Sequence, residues 1–415
     1  MILYGSRMYM DVKIKKARDV LILSTADWDN PSWTNKQHMA VQFAQHGWRV
    51  LYVDSLGLRR PVLKKKDFLR IGKRLINGLK EAHEVRSSIW RISPLVLPFQ
   101  KHAIIRRLNL WILRWTLRWH MMKLSIKMPV IWTYNPLLFE VCAELPSAGI
   151  VYHCVDDLGA APHIHPQSIY DGEMQLGKIA DLCFTTSAAL QERMQALFSQ
   201  CVCEPNVCDY DLFHTAVTEP LEEPEELRFI PHPRLIFIGA LSEYKVDFDL
   251  IRFVAQCLPN VHWVLIGPDG EGQPDSNKPP VLPNVHMLGP KPYHRLPSFL
   301  KYGDMAVLPA VHNNYTDAMF PMKFFEYLAS GVQVVATALP SLREFQDLYF
   351  PADSKEDFVS AIKIVLAGEK RNAVSIEAAC HRHSWESRFE RMEKILWGAL
   401  NAKKTAEWKR TDDVR

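Results

Sequence analysis

Short, almost wholly apolar runs recur along the chain, separated by stretches whose apolar positions fall at helical spacing. DVLILST (19–25), WRVLYVD (48–54), PVIWTY (129–134), GIVYHCV (149–155) and DLCFTTS (181–187) make a first series. RLIFIGA (234–240), VHWVLIG (261–267), NVHMLG (284–289), MAVLPA (305–310) and QVVATA (333–338) make a second. A strand that is apolar at successive positions is covered on both faces, and such strands joined through helices read as a parallel sheet. Gly47 supplies a helix stop after the first strand, and VDFDLIRFVAQCLP has the spacing of a helix after the sixth. Two series of this size predict an α/β fold of two doubly wound, Rossmann-like domains facing a central cleft. Between them HTAVTEPLEEPEELRFIPHP (214–233) is acidic and proline-rich, the composition of an interdomain connection. The expected division is a first domain over 1–213, a linker over 214–232, a second domain over 233–383, and a last helix and tail over 384–415.

Composition agrees with two globular domains: 415 residues exceed one ordinary core, with 48% hydrophobic and 23% charged positions. The net charge of +4 conceals an asymmetry. Residues 59–127 hold 18 lysines and arginines against Asp67, Glu81 and Glu84, which leaves the rest of the chain net acidic. Such a local excess points to an anionic partner surface. Within it, Lys64, Lys65 and Lys66 are consecutive, and Trp111, Trp115 and Trp119 stand at i, i+4 and i+8, so they share a helix face. Basic, tryptophan-bearing amphipathic helices lie on anionic membranes; a packed helix with a solvated basic rim is the alternative. No nucleic-acid signature accompanies the patch. No apolar run reaches 18 residues, so no membrane span is expected, and MILYGSRMYMDVKIKKARDV does not read as a signal peptide. Eight cysteines without a CxxC pair indicate a reducing compartment and no zinc site. The expected location is the cytoplasm, peripheral on the inner face of the plasma membrane.

Ligands of open parallel sheets bind beyond the carboxyl ends of the strands. In the second domain this rule selects the loops Gly239–Lys245, Gly267–Gly272, Gly289–His294 and Pro309–Glu326. FPMKFFEYLASGVQVVATALPSLREF carries the strongest signal. A helix starting near Pro321 puts Lys323 in its first turn and Glu326 on the same face, a cation for a diphosphate and a carboxylate for ribose hydroxyls. A plain i,i+3 surface ion pair is the alternative. In the first domain Asp156 and Asp157 follow a buried strand, where a turn or cap role competes with chemistry. The polar loop ADWDNPSWTNKQHMA offers Trp28 and Trp33 for stacking and Asn35 at a helix start. Asp247 and Asp249 fall inside a predicted helix and make no convincing DxD metal motif.

MKFFEYLASGVQVVAT resembles the donor-site signature of GT-B glycosyltransferases, especially family-4-like (group 1) enzymes of bacterial polysaccharide assembly, including the teichuronic-acid and exopolysaccharide types. GALSEYKVDFDLI, VHWVLIGP, NVHMLGPKPYHRLPSFLKYGDMAVLP and HSWESRFERMEKIL extend the likeness. It implies a metal-independent transferase without a cofactor, taking a UDP- or GDP-sugar to a polysaccharide or lipid-linked glycan acceptor at the cytosolic membrane face. It assigns Glu326 to the ribose and Gly331 to the helix end, and matches Lys323 to a subgroup lysine. Gly239, Lys245, Gly267, Pro290, Pro321 and Met322 join these as donor contacts. It also sets Asp156, with Asp157 beside it, across the cleft as the catalytic carboxylate, and has the last helix cross back to the first domain. Two positions depart from the pattern: Ala318 stands where a first glutamate is usual, and Ala240 where an arginine is. A GT-B-fold nucleotide-sugar isomerase and a catalytically silent glycan- or lipid-binding scaffold are the alternatives.

Overall fold

The computed structural model describes residues 18–30, 33–55, 81–94, 103–162, 164–270 and 276–412. Two sheets carry the chain. The first holds β1 (Asp19–Leu23), β2 (Arg49–Val53), β3 (His83–Arg86), β4 (Ile89–Ile92), β5 (Val130–Thr133), β6 (Gly149–Cys154), β7 (Leu182–Thr185) and β8 (Cys201–Cys203). Their spatial order is β3-β4-β2-β1-β5-β6-β7-β8, parallel except for β3 at the edge. The second holds β9 (Arg234–Ile238), β10 (His262–Ile266), β11 (Val285–Met287), β12 (Met305–Leu308), β13 (Val334–Thr337) and β14 (Phe350–Ala352). These run parallel in the order β11-β10-β9-β12-β13-β14. The apolar runs form these strands because both faces are covered: every residue of β5, β6, β7, β9, β12 and β13 is buried.

Chain order reverses between β1 and β5 in one sheet and between β9 and β12 in the other. Each reversal opens a crevice at the carboxyl ends of the strands, where diverging connections leave room for a ligand.

Composition misplaced one boundary. The segment that begins the acidic stretch is part of the helix Tyr210–Thr218, whose Phe213 is fully buried in the second lobe's core together with Leu227 and Ile230. The crossing between lobes therefore falls after β8, ahead of residue 213, and the acidic stretch is packed against the second lobe rather than strung between the two. The chain then returns. The helix Trp385–Asp412 lays Phe389, Met392, Leu396 and Leu400 into the first lobe's core. Phe389 meets Phe43 edge-on at 4.9 Å between centroids, and Trp48 Nε1 donates to Glu393 Oε1 at 2.8 Å.

Asp247 does not lie within a helix. It caps Phe248–Cys257, accepting from the Leu250 amide at 2.7 Å. Among the described residues no helix is long and apolar enough to cross a membrane.

Candidate functional site

The two crevices face each other across a cavity of about 300 Å³. From the second lobe its wall takes Gly239, Ala240 and Lys245 after β9, Gly267 after β10, Pro290, Lys291 and Tyr293 after β11, and the Pro321-Met322-Lys323 turn. From the first lobe it takes Trp33, Asn35 and Lys36 after β1 and Asp156 after β6.

The floor depends on two glycines. Gly267 has φ +154°, and a Cβ there would stand 1.8 Å from the carbonyl oxygen of Gly239. The loops after β9 and β10 can touch only because Gly267 carries no side chain at this point, while a Cβ on Gly239 would meet the Phe237 ring at 2.9 Å. Gly239 N donates to Ile266 O at 2.9 Å and Gly267 N to Gly289 O at 3.1 Å, which ties three strand ends together.

The donor-motif helix is shorter than its sequence pattern suggested, Lys323–Ala329, with Met322 at its cap position and Pro321 just ahead of it. Gly331, at φ +76°, ends it. Lys323 and Glu326 share a face: Nζ donates to Glu326 Oε2 at 2.6 Å. The other carboxylate oxygen, Oε1, accepts from Tyr293 Oη at 2.9 Å. Glu326 is 1% exposed and does not line the cavity; Lys323 and Tyr293 stand between it and the opening. In this arrangement Glu326 is not open to a ribose directly. Its burial pushes the carboxyl pKa up, against Lys323 and the Tyr293 hydroxyl, which hold it down. The Tyr293 phenol is driven far above its ordinary range by burial and by the facing carboxylate. The ammonium of Lys245 lies 5.1 and 5.4 Å from the ring centroids of Tyr244 and Tyr315. Lys291 is engaged by Glu226 at 3.0 Å. Among the described lining residues four lysines meet one carboxylate, Asp156, a balance suited to an anionic ligand.

The adjacent aspartates separate. Asp156 faces the cavity. Asp157 turns away: it accepts from the Gly159 amide at 3.1 Å, capping a short turn, and lies 3.6 Å from Arg193. Asp157, expected beside Asp156 as a catalytic carboxylate, is a cap and does not line the cavity. Trp28 is corrected in the same way. It is buried against Tyr52 and Trp33, its amide donating to Asp54 at 2.8 Å, while Trp33 is the ring that reaches the cavity.

Asn35 lines the cavity, yet its amide belongs to a buried relay. Arg388, on the returning helix and fully buried, donates to Asn35 Oδ1 at 2.7 Å, to Glu204 O at 2.8 Å and contacts His153 Nε2 at 3.1 Å. Asn35 Nδ2 donates to Asn206 Oδ1 at 2.8 Å, and Asn206 Nδ2 to Phe320 O at 2.6 Å. Four residues thus join the returning helix, the first lobe, the crossing segment and the donor motif. Burial pulls the Arg388 guanidinium down to about 10. His38, stacked on Trp385 at 4.6 Å, is held neutral by burial and by Lys323, its pKa pushed down to about 3.

Sequence reasoning missed Tyr293, Lys36, Asn206 and Arg388 as members of this region. Tyr293 and Lys36 lie in loops singled out from the sequence and Arg388 in the returning segment, but nothing local marked these side chains, and Asn206 had no signal at all. In the first lobe, the helix Ala103–Lys123 buries Leu110, Leu113, Leu117 and Met121 and exposes Trp111 and Trp115. Trp119 is half-buried, with the Lys123 ammonium 5.2 Å from its ring centroid. Lys64, Lys65 and Lys66 lie outside the described residues.

Residues 232–368 match the family model described as Glycosyl transferases group 1. The matched residues make up most of the second lobe. TuaH of Bacillus subtilis (strain 168), described as a teichuronic acid biosynthesis glycosyltransferase, is 34% identical over 135 residues, 31% of this chain. The match spans about a third (34%) of that relative's length. Solved structures align over nearly the whole chain. Sucrose-phosphate synthase from Thermosynechococcus elongatus gives a TM-score of 0.60 at 14% identity, covering 96% of this chain and 100% of that one. Anabaena HepE in complex with UDP and glucose gives 0.61 at 15% identity, covering 92% and 99%. The trehalose 6-phosphate synthase of Burkholderia multivorans gives 0.66 at 10% identity, covering 94% and 98%. At these identities the likeness is one of fold, and the fold is GT-B.

Proposed function

We propose that this chain is a glycosyltransferase that moves a sugar from a nucleotide-sugar donor, UDP- or GDP-linked, to a glycan or lipid-linked acceptor in cell-surface polysaccharide biosynthesis. The observation that carries the reading is the cavity between the lobes, where Lys245 and Lys323 of the group 1 domain look across at Asp156. Two ammonium groups in a partly enclosed cavity would neutralise a departing diphosphate, charge that develops as the glycosidic bond breaks. Asp156, on the acceptor side, would take the proton of the attacking hydroxyl or orient the sugar. Glu326 would contribute to nucleotide binding by fixing Lys323. The UDP bound in HepE and the teichuronic acid role of TuaH support donor class and pathway type respectively.

The acceptor reading extends to the membrane. The helix Ala103–Lys123 leaves Ile104, Trp111, Trp115 and Met122 more than half exposed, with Arg106, Arg107 and Arg118 also at the surface. Apolar anchors among cations suit the cytosolic face of an anionic bilayer, where a lipid-linked acceptor would be met.

The test is incubation of the purified protein with UDP-, GDP- and TDP-sugars, following nucleotide release with and without lipid-linked acceptor. Acceptor-dependent release is expected. An isomerised nucleotide sugar, formed without acceptor and without net nucleotide release, favours the isomerase, and no nucleotide binding at all leaves the scaffold.

A further inference from the structure

The lysine that faces the cavity is not positioned by its own helix alone. Its ammonium is held by Glu326 Oε2, and Glu326 is held by a second element through the Tyr293 hydroxyl on Oε1. Tyr293 is in turn clamped between lobes. Its ring meets Phe213 at 5.5 Å and His38 of the first lobe at 5.7 Å, both edge-on, and its face lies 5.3 Å from the Lys323 ammonium. We propose that Tyr293 is a positioning residue of the donor site: its phenol orients the Glu326 carboxylate, which holds the Lys323 ammonium against the nucleotide diphosphate. The inference rests on the donor-site reading above.

The physical requirement is that a carboxylate this deeply buried keep its charge. Two charge-assisted donors, one on each oxygen, offset the loss of water. With one donor gone, the carboxyl protonates more readily and releases Lys323 into the cavity. The groups that face Glu326 are Lys323 and Tyr327 on its own helix, Tyr293 from the loop after β11, and Asp209 and Cys208 from the segment entering the second lobe. Around neutral pH the two tyrosines, raised by burial, and Cys208, raised by its hydrogen bond with Cys380 and by burial, stay protonated. His38 on the facing lobe stays neutral. Asp209 is unaltered between the proteins to be compared, as is the ligand's own titration.

Tyr293→Phe removes the hydroxyl and keeps the ring. UDP affinity of wild type and variant, measured by calorimetry from pH 5.5 to 8.5, reports the effect. Glu326 has a raised pKa, so its charge is lost as pH falls. The pH at which affinity begins to drop should move upward in Tyr293→Phe, by about one to two units, the size of one hydrogen bond to a charged group. Glu326→Gln keeps the hydrogen-bonding shape without the titration, and its affinity should be lowered with that pH-dependent step absent. In a Lys323→Ala background Tyr293→Phe should have no further effect on UDP affinity, because the two act as one unit. A loss of affinity that is equal at every pH, or that adds to that of Lys323→Ala, overturns the inference and leaves Tyr293 a packing residue. Failure of the wild type to bind either UDP or GDP overturns the donor-site reading itself, and this inference with it.

Discussion

Gly267→Ala is the most severe small change the cavity floor offers. The added methyl would sit 1.8 Å from the Gly239 carbonyl oxygen and 2.7 Å from its carbon, both backbone atoms that no rotamer change can move aside. Relief requires the loops after β9 and β10 to part by about 1 Å, which loosens Gly239 N→Ile266 O and Gly267 N→Gly289 O. A non-glycine residue at this φ costs about 1–2 kcal/mol, and two weakened backbone hydrogen bonds about 1 kcal/mol each. The total is about 3–4 kcal/mol, a fall of roughly 6–16 °C in the melting temperature of a lobe this size. Gly289→Ala is the matched control: its φ is also positive, +67°, but a methyl there meets nothing within 4 Å. It should cost only the conformational part, about 1 kcal/mol. Thermal unfolding followed by circular dichroism, with UDP titration of each folded variant, measures both consequences. A displacement of this size at a binding floor should also weaken UDP by about 10²-fold in the first variant. Equal stability of the two variants, or Gly267→Ala with wild-type UDP affinity, would show that the floor is not set by this contact.

Asp156→Asn should lower turnover by about 10²–10⁴-fold with UDP affinity kept, the share of a positioned base, whereas Asp157→Ala should lose about 1 kcal/mol of stability with turnover largely intact; steady-state kinetics beside melting curves separates them. Lys323→Ala and Lys245→Ala should each weaken UDP by about 10–100-fold, measured by calorimetry, and an unchanged dissociation constant would take that lysine out of the site. Lys64, Lys65 and Lys66 changed together to glutamate should reduce co-sedimentation with anionic vesicles in a salt-dependent way, while Trp111→Ser with Trp115→Ser should remove the part that high salt leaves. Equal partitioning of the wild type onto neutral and anionic vesicles would remove the charge argument.

The strand series was legible because both faces of most strands are buried, so apolar runs and strands coincide at β1, β2, β5 to β7 and β9 to β13. The edge elements were not. His83–Arg86 is largely exposed, and Cys201–Cys203 and Phe350–Ala352 are three residues each, too short for any periodicity. The helix Tyr210–Thr218 hid because it turns only Phe213 and Ala216 fully inward. In the site, Lys323 and Glu326 were placed on one face from their spacing alone. Spacing could not say that the carboxylate faces inward, since the donor that draws it there, Tyr293, is 33 residues away. The Arg388–Asn35 and Asn35–Asn206 contacts span 353 and 171 residues, and no local pattern encodes such partners. Adjacent Asp156 and Asp157 could not be ranked either, because a turn decides which of two neighbours looks outward.

The returning helix imposes an order on biosynthesis. Phe43, Trp48 and Trp132 of the first lobe share a cluster with Phe389, Met392, Leu396 and Leu400, which the ribosome delivers only after the whole second sheet. At roughly 5–20 residues per second, the first sheet waits on the order of 10–40 seconds between emergence of its last strand and arrival of its cover. During that interval the nascent chain presents an uncovered apolar face, the kind of surface that recruits chaperones or finds another nascent chain. Expression of the first lobe alone would make that interval permanent. Circular permutants that move residues 385–412 ahead of β1 would let the first lobe close while the second is still being made.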